Sequence, residues 1–189
     1  MPFGRLSLGS SRIAGALVGC DMSSKEKTAM KKMVIMLAAC GAFIAAPLRA
    51  QVPVRASVEQ STLLASANAR QADNKRLVYD FWREVLEGGH LELAEKYLAV
   101  SYIQHNPSVP TGRAGFIDFF STFAKPRAIE PTIKAPLVAI VAEGDYVVLS
   151  FVRELAEPSD PPKKYTTTAF DMFRVENGKI AEHWDAEQK

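Results

Sequence analysis

Between Thr132 and Gln188 the sequence leaves helical spacing for long β-branched runs broken by two tight turns. This change constrains the fold more than any other feature. In "TIKAPLVAIVAEGDYVVLSFVRELAE", Thr132 to Glu157, the turn falls at Glu143-Gly144-Asp145. In "KKYTTTAFDMFRVENGKIAEHWDAEQ" it falls at Asn177-Gly178, the strongest short hairpin signal. Two hairpins, four long antiparallel strands, are therefore expected. Helical spacing occupies the preceding stretch. "NKRLVYDFWREVLEGGH" places Leu77, Val78, Phe81, Trp82, Val85 and Leu86 on one face, and Gly88-Gly89 supplies the stop. "LELAEKYLA", Leu91 to Ala99, predicts a shorter helix. "RAGFIDFFSTFAK", Arg113 to Lys125, predicts a third, with Phe116, Phe119, Phe120 and Phe123 as a core stripe. Helices first and strands afterwards, without βαβ alternation, give an α+β domain with helices packed on one face of a curved sheet.

The N-terminal segment reads differently. "MKKMVIMLAACGAFIAAPLRA", Met30 to Ala50, begins with Lys31 and Lys32, continues as an apolar run to Ala46 and ends on a small residue. That layout predicts a secretory signal cleaved near Ala50, hence a periplasmic or secreted protein, and the run is too short for a stable membrane span. "LAAC" at Leu37 to Cys40 leaves lipoprotein processing as an alternative. Residues 1–29 read as an unstructured leader or an upstream start, and 51–73 as a linker, so the domain is expected over 74–189. Cleavage would remove Cys20 and Cys40, and with them thiol chemistry and disulfides. Lys and Arg would fall from 23 to 16 and Asp and Glu from 21 to 19, turning a net +2 into −3. A chain without basic excess is not expected to bind nucleic acid.

The groups able to move protons concentrate in two stretches. One is the last strand, with His183, Trp184 and Asp185, opposite Asp171 on its hairpin partner. Counted from an ideal Asn177-Gly178 turn, Met172 faces His183, Asp171 faces Trp184 and Phe170 faces Asp185. His183 and Asp185 then share one face of the sheet, and Asp171 and Trp184 the other. Both faces mix apolar bulk with ionisable groups, so which is inward stays open, and one bulge would exchange them. The second stretch is "YLAVSYIQHNPSVPTGR", with Tyr102, His105 and Asn106 ahead of Pro107. His90, in "GGHLELAE", reads as a solvent-facing helix-start residue. No metal site is expected: no ligand pair has i, i+4 helical spacing, and no third ligand is evident beside His183 and Asp185.

"YIQHNP", then "GRAGFIDFF", then "FDMFRVENGKIAEHWD" resemble the SnoaL-like branch of the NTF2-like superfamily, over roughly Asn74 to Asp185. The resemblance implies a cone-shaped α+β barrel: N-terminal helices packed on a curved antiparallel sheet enclosing an apolar pocket. It also implies proton-transfer chemistry without cofactor or metal, of the aldol-cyclase, isomerase or epoxide-hydrolase kind. Asp185 and His183 are then the proton-transfer candidates. His105, with Tyr102 and Asn106, would line the cavity and orient a substrate oxygen, and Asp171 is an alternative base. Trp184 and Trp82 complete the expected lining.

Three readings follow. The domain is an acid/base enzyme acting on a small hydrophobic carbonyl compound, a binding module for such a molecule, or a homodimeric interaction domain.

Overall fold

The computed structural model describes residues 52–186, so the leader and signal-like segment lie outside the described residues. The described residues belong to one compact unit. Helix α1 (Ala69–Phe81) starts where the Asn68 side chain accepts a hydrogen bond from the Gln71 N–H at 3.3 Å. It continues as a wide π-helical segment, Trp82–Glu87, and ends at Gly88. A 3₁₀ turn, Leu91–Leu93, leads into α2 (Ala94–Tyr97), and α3 spans Arg113–Ser121. The strands are β1 (Leu98–Gln104), β2 (Leu137–Glu143), β3 (Tyr146–Glu157), β4 (Asp160–Glu176) and β5 (Lys179–Asp185). They form one curved, unclosed sheet in the order β1-β5-β4-β3-β2. The α+β architecture expected from the element order is the one observed.

Three local expectations change. The second helix is shorter than predicted, and Leu98–Gln104 forms β1, which pairs parallel with β5, so the sheet is mixed. "LAVSYIQ" adjoins a helix and is too short for its apolar residues to declare a period. Segment 51–73, read as a linker, contributes the first turn of α1 and is tied to the domain. Gln60 donates from Nε2 to the Ile133 carbonyl at 2.8 Å, and its Oε1 accepts from Tyr79 Oη at 2.7 Å. The Phe stripe divides: Phe116 is buried, Phe120 borders a cavity and Phe123 is 58% exposed, because α3 stops at Ser121.

The core lies between the helices and the inner face of the sheet. Phe81 anchors it, with ring centroids 5.9 Å from Tyr97, 5.8 Å from Phe116 and 6.2 Å from Phe173. Val147, Leu149, Phe173 and Val175 supply the sheet side.

Both turns fall where the sequence puts them. Asn177 and Gly178 have φ of 51° and 71°, as a type I′ hairpin requires. A Cβ on Gly178 would meet nothing within 4 Å, so the cost of Gly178→Ala is conformational alone. A left-handed Ala costs about 1–2 kcal/mol. Urea unfolding should show a loss of that size, and an unchanged midpoint would contradict the turn assignment.

Beyond this turn the register departs from the ideal count. Glu176 pairs Lys179 and Val175 pairs Ile180, but Arg174 then pairs Glu182, leaving Ala181 as a bulge. The shift continues to the strand end: Phe173 faces His183, Met172 faces Trp184 and Asp171 faces Asp185. Asp171, Phe173, His183 and Asp185 therefore share the inner face. One extra residue assembles the site.

Candidate functional site

The inner ends of β4, β5 and β1 meet the end of α1 and the start of α3 around a cavity of about 280 Å³. Phe81, Trp82, Leu86, Phe116, Phe120 and Phe173 give it an apolar wall. The π-helical turn carries Trp82 and Leu86 to this wall, and the Trp82 indole stacks on Phe151 at 4.4 Å. Tyr102, Gln104, Asn106, Asp171, His183 and Asp185 form the polar side.

These polar groups are linked by hydrogen bonds. His183, 8% exposed, sets Nε2 3.0 Å from Asp171 Oδ1 and Nδ1 2.9 Å from Gln104 Oε1. The Phe173 ring lies 4.6 Å from the imidazole. Asn106 donates from Nδ2 to Asp185 Oδ2 at 2.7 Å, and its own Oδ1 accepts from the Ser108 N–H at 2.8 Å. That second bond fixes which end of the Asn106 amide faces Asp185. Gln104 Nε2 donates to the Tyr102 hydroxyl at 3.0 Å. Two carboxylates, an imidazole, a phenol and two amides thus converge on a largely apolar hollow.

Burial pushes the Tyr102 phenol well above its ordinary value, and the charges of Asp185 and Asp171 add to the effect. Tyr102 is therefore a neutral O–H at physiological pH. Tyr97, behind the cavity, is pushed up to about 12 by burial and by its hydrogen bond to Glu84. Both values exceed the ordinary 10.0, so the native fold keeps protons that the unfolded chain releases. This stabilisation is intact below about pH 10 and lost as pH rises through the folded-state values. Urea midpoints should fall between about pH 10 and about pH 12. A flat profile would contradict the buried phenols.

The predicted site residues divide between the two faces of the sheet. Asp185, His183, Asp171, Tyr102, Asn106 and Trp82 all line the cavity. His105 and Trp184 do not. The His105 ring lies parallel to Trp184 at 4.6 Å on the outer face, with Nε2 3.0 Å from Glu182 Oε2. The reason is alternation: His105 follows Gln104 and Trp184 follows His183, so each points opposite to an inward neighbour. The His105 backbone N–H donates to the His183 carbonyl at 3.0 Å, which holds the two strand ends together. Glu182 also takes Arg174 at 2.6 Å, and the His105 and Arg174 contacts hold its carboxyl below the usual range. His90 bonds Glu92 at 2.7 Å and the Arg127 carbonyl at 2.8 Å, away from the cavity.

Gln104, Val109 and the apolar wall of Phe81, Leu86, Phe116, Phe120 and Phe173 were not expected in the lining. Gln104 was within reach: once Tyr102 is placed on a strand, Gln104 shares its face at i, i+2. The third ligand that seemed absent for a metal is also present. Asp171, His183 and Asp185 each offer a ligand atom, all within 4.8 Å of one another, so this trio could hold a cation. A wider depression of about 560 Å³ lies between the end of α1 and residues 127–135. Its Arg83 is paired with Asp80 and Glu84, and its Lys134 with Glu130. Its lining residues are Arg83, Glu87, Gly88, Arg127, Ala128, Glu130, Lys134 and Ala135, with no aromatic ring among them.

The SnoaL-like polyketide cyclase family model matches residues 76–189, and the chain belongs to that family. No curated protein matches it significantly. Solved structures similar to it include a candidate polyketide cyclase from Acidithiobacillus ferrooxidans, 21% identical over 64% of this chain and 89% of that one, with a TM-score of 0.44. Another, from Bacillus cereus, is 22% identical over 75% and 89%, with a TM-score of 0.42. An LEH-like epoxide hydrolase from M. tuberculosis is 15% identical over 61% and 83%, with a TM-score of 0.44.

Proposed function

We propose that this domain is an exported acid/base enzyme acting on a small, largely apolar carbonyl compound without a cofactor. The observation that carries this reading is the convergence of Asp185, the His183–Asp171 pair and Tyr102 on one apolar cavity. In this scheme the Asp185 carboxylate takes a proton from the carbon α to the carbonyl. The electron pair moves onto the carbonyl oxygen, where the proton between His183 and Asp171, or the Tyr102 O–H, meets the developing charge. Asp185 then returns its proton to a carbon of the enol, as in isomerisation, or the enol carbon attacks a second carbonyl whose oxygen takes that proton, as in aldol closure. In both, the enol O–H gives its proton back to the donor as the carbonyl re-forms. A volume of about 280 Å³ falls just below the roughly 300–1,000 Å³ of common ligand pockets, which favours a small substrate.

Export rests on the Met30–Ala50 pattern, with cleavage near Ala50. Homodimerisation rests on the outer face of the sheet, where Val141, Val148, Met172 and Trp184 follow one another across four strands in register.

The same apolar wall also suits a second reading, a carrier that holds such a molecule without changing it. Native mass spectrometry of protein recovered from the periplasm tests both. The enzyme reading expects a mature N-terminus near Gln51 and conversion of the retained compound on incubation. A compound recovered unchanged, with Asp185→Asn altering only its affinity, would replace the enzyme with the carrier.

A further inference from the structure

The Gly88-Gly89 stop after α1 does more than end a helix. Gly89 has φ of 72°, and a Cβ there would lie 2.5 Å from the Lys125 carbonyl oxygen, so the loop after α3 packs directly on its backbone. Across that contact the Arg127 N–H donates to the Gly88 carbonyl at 2.9 Å. His90 adds a side-chain tie, with Nε2 2.8 Å from the Arg127 carbonyl and Nδ1 2.7 Å from Glu92 Oε1. Both partners only accept, so the two bonds coexist only on a doubly protonated ring. The Glu92 bond first and the Arg127 bond second raise the His90 pKa above the ordinary 6.5, against some desolvation, and the charge of Glu84 adds to the effect. The other charged groups at this corner are Lys125 and Arg127 on the loop, Arg83, which pairs with Asp80 and Glu84, and Lys96, which pairs with Glu84.

A neutral ring keeps one proton for two acceptors. The carboxylate holds it more strongly than the carbonyl does, which turns the bare Nε2 lone pair on the Arg127 oxygen. The loop leaves α3 just past Phe120, a residue of the cavity wall, and Phe123 at its start lies 5.4 Å from the Phe120 ring and 5.6 Å from the Phe119 ring. Further along, the Glu130 carbonyl accepts from Arg83 at 3.0 Å, and Glu87 accepts from the Lys134 and Ala135 N–H groups, so residues 130–135 have ties of their own. We propose that His90 is a proton-operated latch: as an imidazolium it pins residues 122–128 to the end of α1, and on losing a proton it releases them and loosens the Phe120 corner of the cavity. The latch is fully closed below about pH 6.5 and opens as pH rises through the higher folded-state value. It works in the same way whether the cavity transforms its ligand or only carries it.

Amide hydrogen exchange of the full chain, followed by mass spectrometry from about pH 5 to about pH 9 and corrected for the intrinsic rate, tests this without a substrate. In the wild type, protection of residues 122–128 should be lost with a midpoint above 6.5, while that of β3 stays level. His90→Phe should leave the loop unprotected at every pH. Glu92→Gln should keep it protected at every pH, because the glutamine amide can donate to Nδ1 and leave the ring's one proton to the Arg127 carbonyl. A wild-type loop whose protection does not change with pH overturns the proposal, as does a Glu92→Gln variant that switches like the wild type. If His90→Phe does not fold, those two profiles still decide.

Discussion

Asp185→Asn should lower turnover by about 10²–10⁴-fold, the usual contribution of a positioned general base. The substitution keeps the side chain's shape, and its amide oxygen can still accept from Asn106 Nδ2, now 2.7 Å from Oδ2. Asp185 sits at the end of β5 and is only half-buried, so the melting temperature should hardly move. Substrate binding should persist, placing the loss in kcat and leaving KM close to the wild-type value. Asp171 lines the same cavity, with its Oδ1 facing His183 Nε2, and is the alternative base. Full activity in Asp185→Asn would move the base to Asp171.

The largest expected loss of stability follows Phe81→Ala. Phe81 is 1% exposed and contacts the rings of Tyr97, Phe116 and Phe173 at about 6 Å between centroids, tying α1 to α2, α3 and β4. Truncating a buried Phe typically costs about 3–5 kcal/mol, through lost transfer energy and the cavity left behind. Here the void would open into the existing cavity, whose wall includes Phe81. A small apolar molecule should therefore restore part of the lost stability. Chemical denaturation with and without such a molecule measures both effects. A loss below about 1 kcal/mol would mean that Phe81 does not anchor the core.

The elements that announced themselves in the sequence did so by period and by turn chemistry. Asn177-Gly178 fixes the β4–β5 turn because few other pairs adopt positive φ twice in succession. The β-branched runs from Leu137 onward could hardly be anything but strands. Strand β1 was hidden because Leu98–Gln104 continues directly from a short helix and pairs with β5, distant in the chain. The bulge at Ala181 was equally hidden. Nothing about an alanine declares that it will be skipped in the ladder, and a single skip decides whether Asp171 joins His183 and Asp185. Tyr102, Asn106 and His183 were legible from residue type as candidates, and all three line the cavity. His105 was misplaced because neighbours on an extended strand point to opposite faces, which residue type alone does not reveal. Trp184 was misplaced for the same reason, its bulk inviting an inward assignment when the sheet's outer face holds it against His105.

The central claim, that this cavity abstracts protons from carbon, is tested most directly by hydrogen exchange at carbon. Small cyclic ketones are incubated with the protein in deuterium oxide, and proton NMR follows the signals of the hydrogens α to the carbonyl. The account predicts that the wild-type protein accelerates their loss for at least one ketone that fits the cavity, and that Asp185→Asn abolishes the acceleration. Ketones that bind saturably in the cavity while their α hydrogens exchange no faster than in buffer would contradict it.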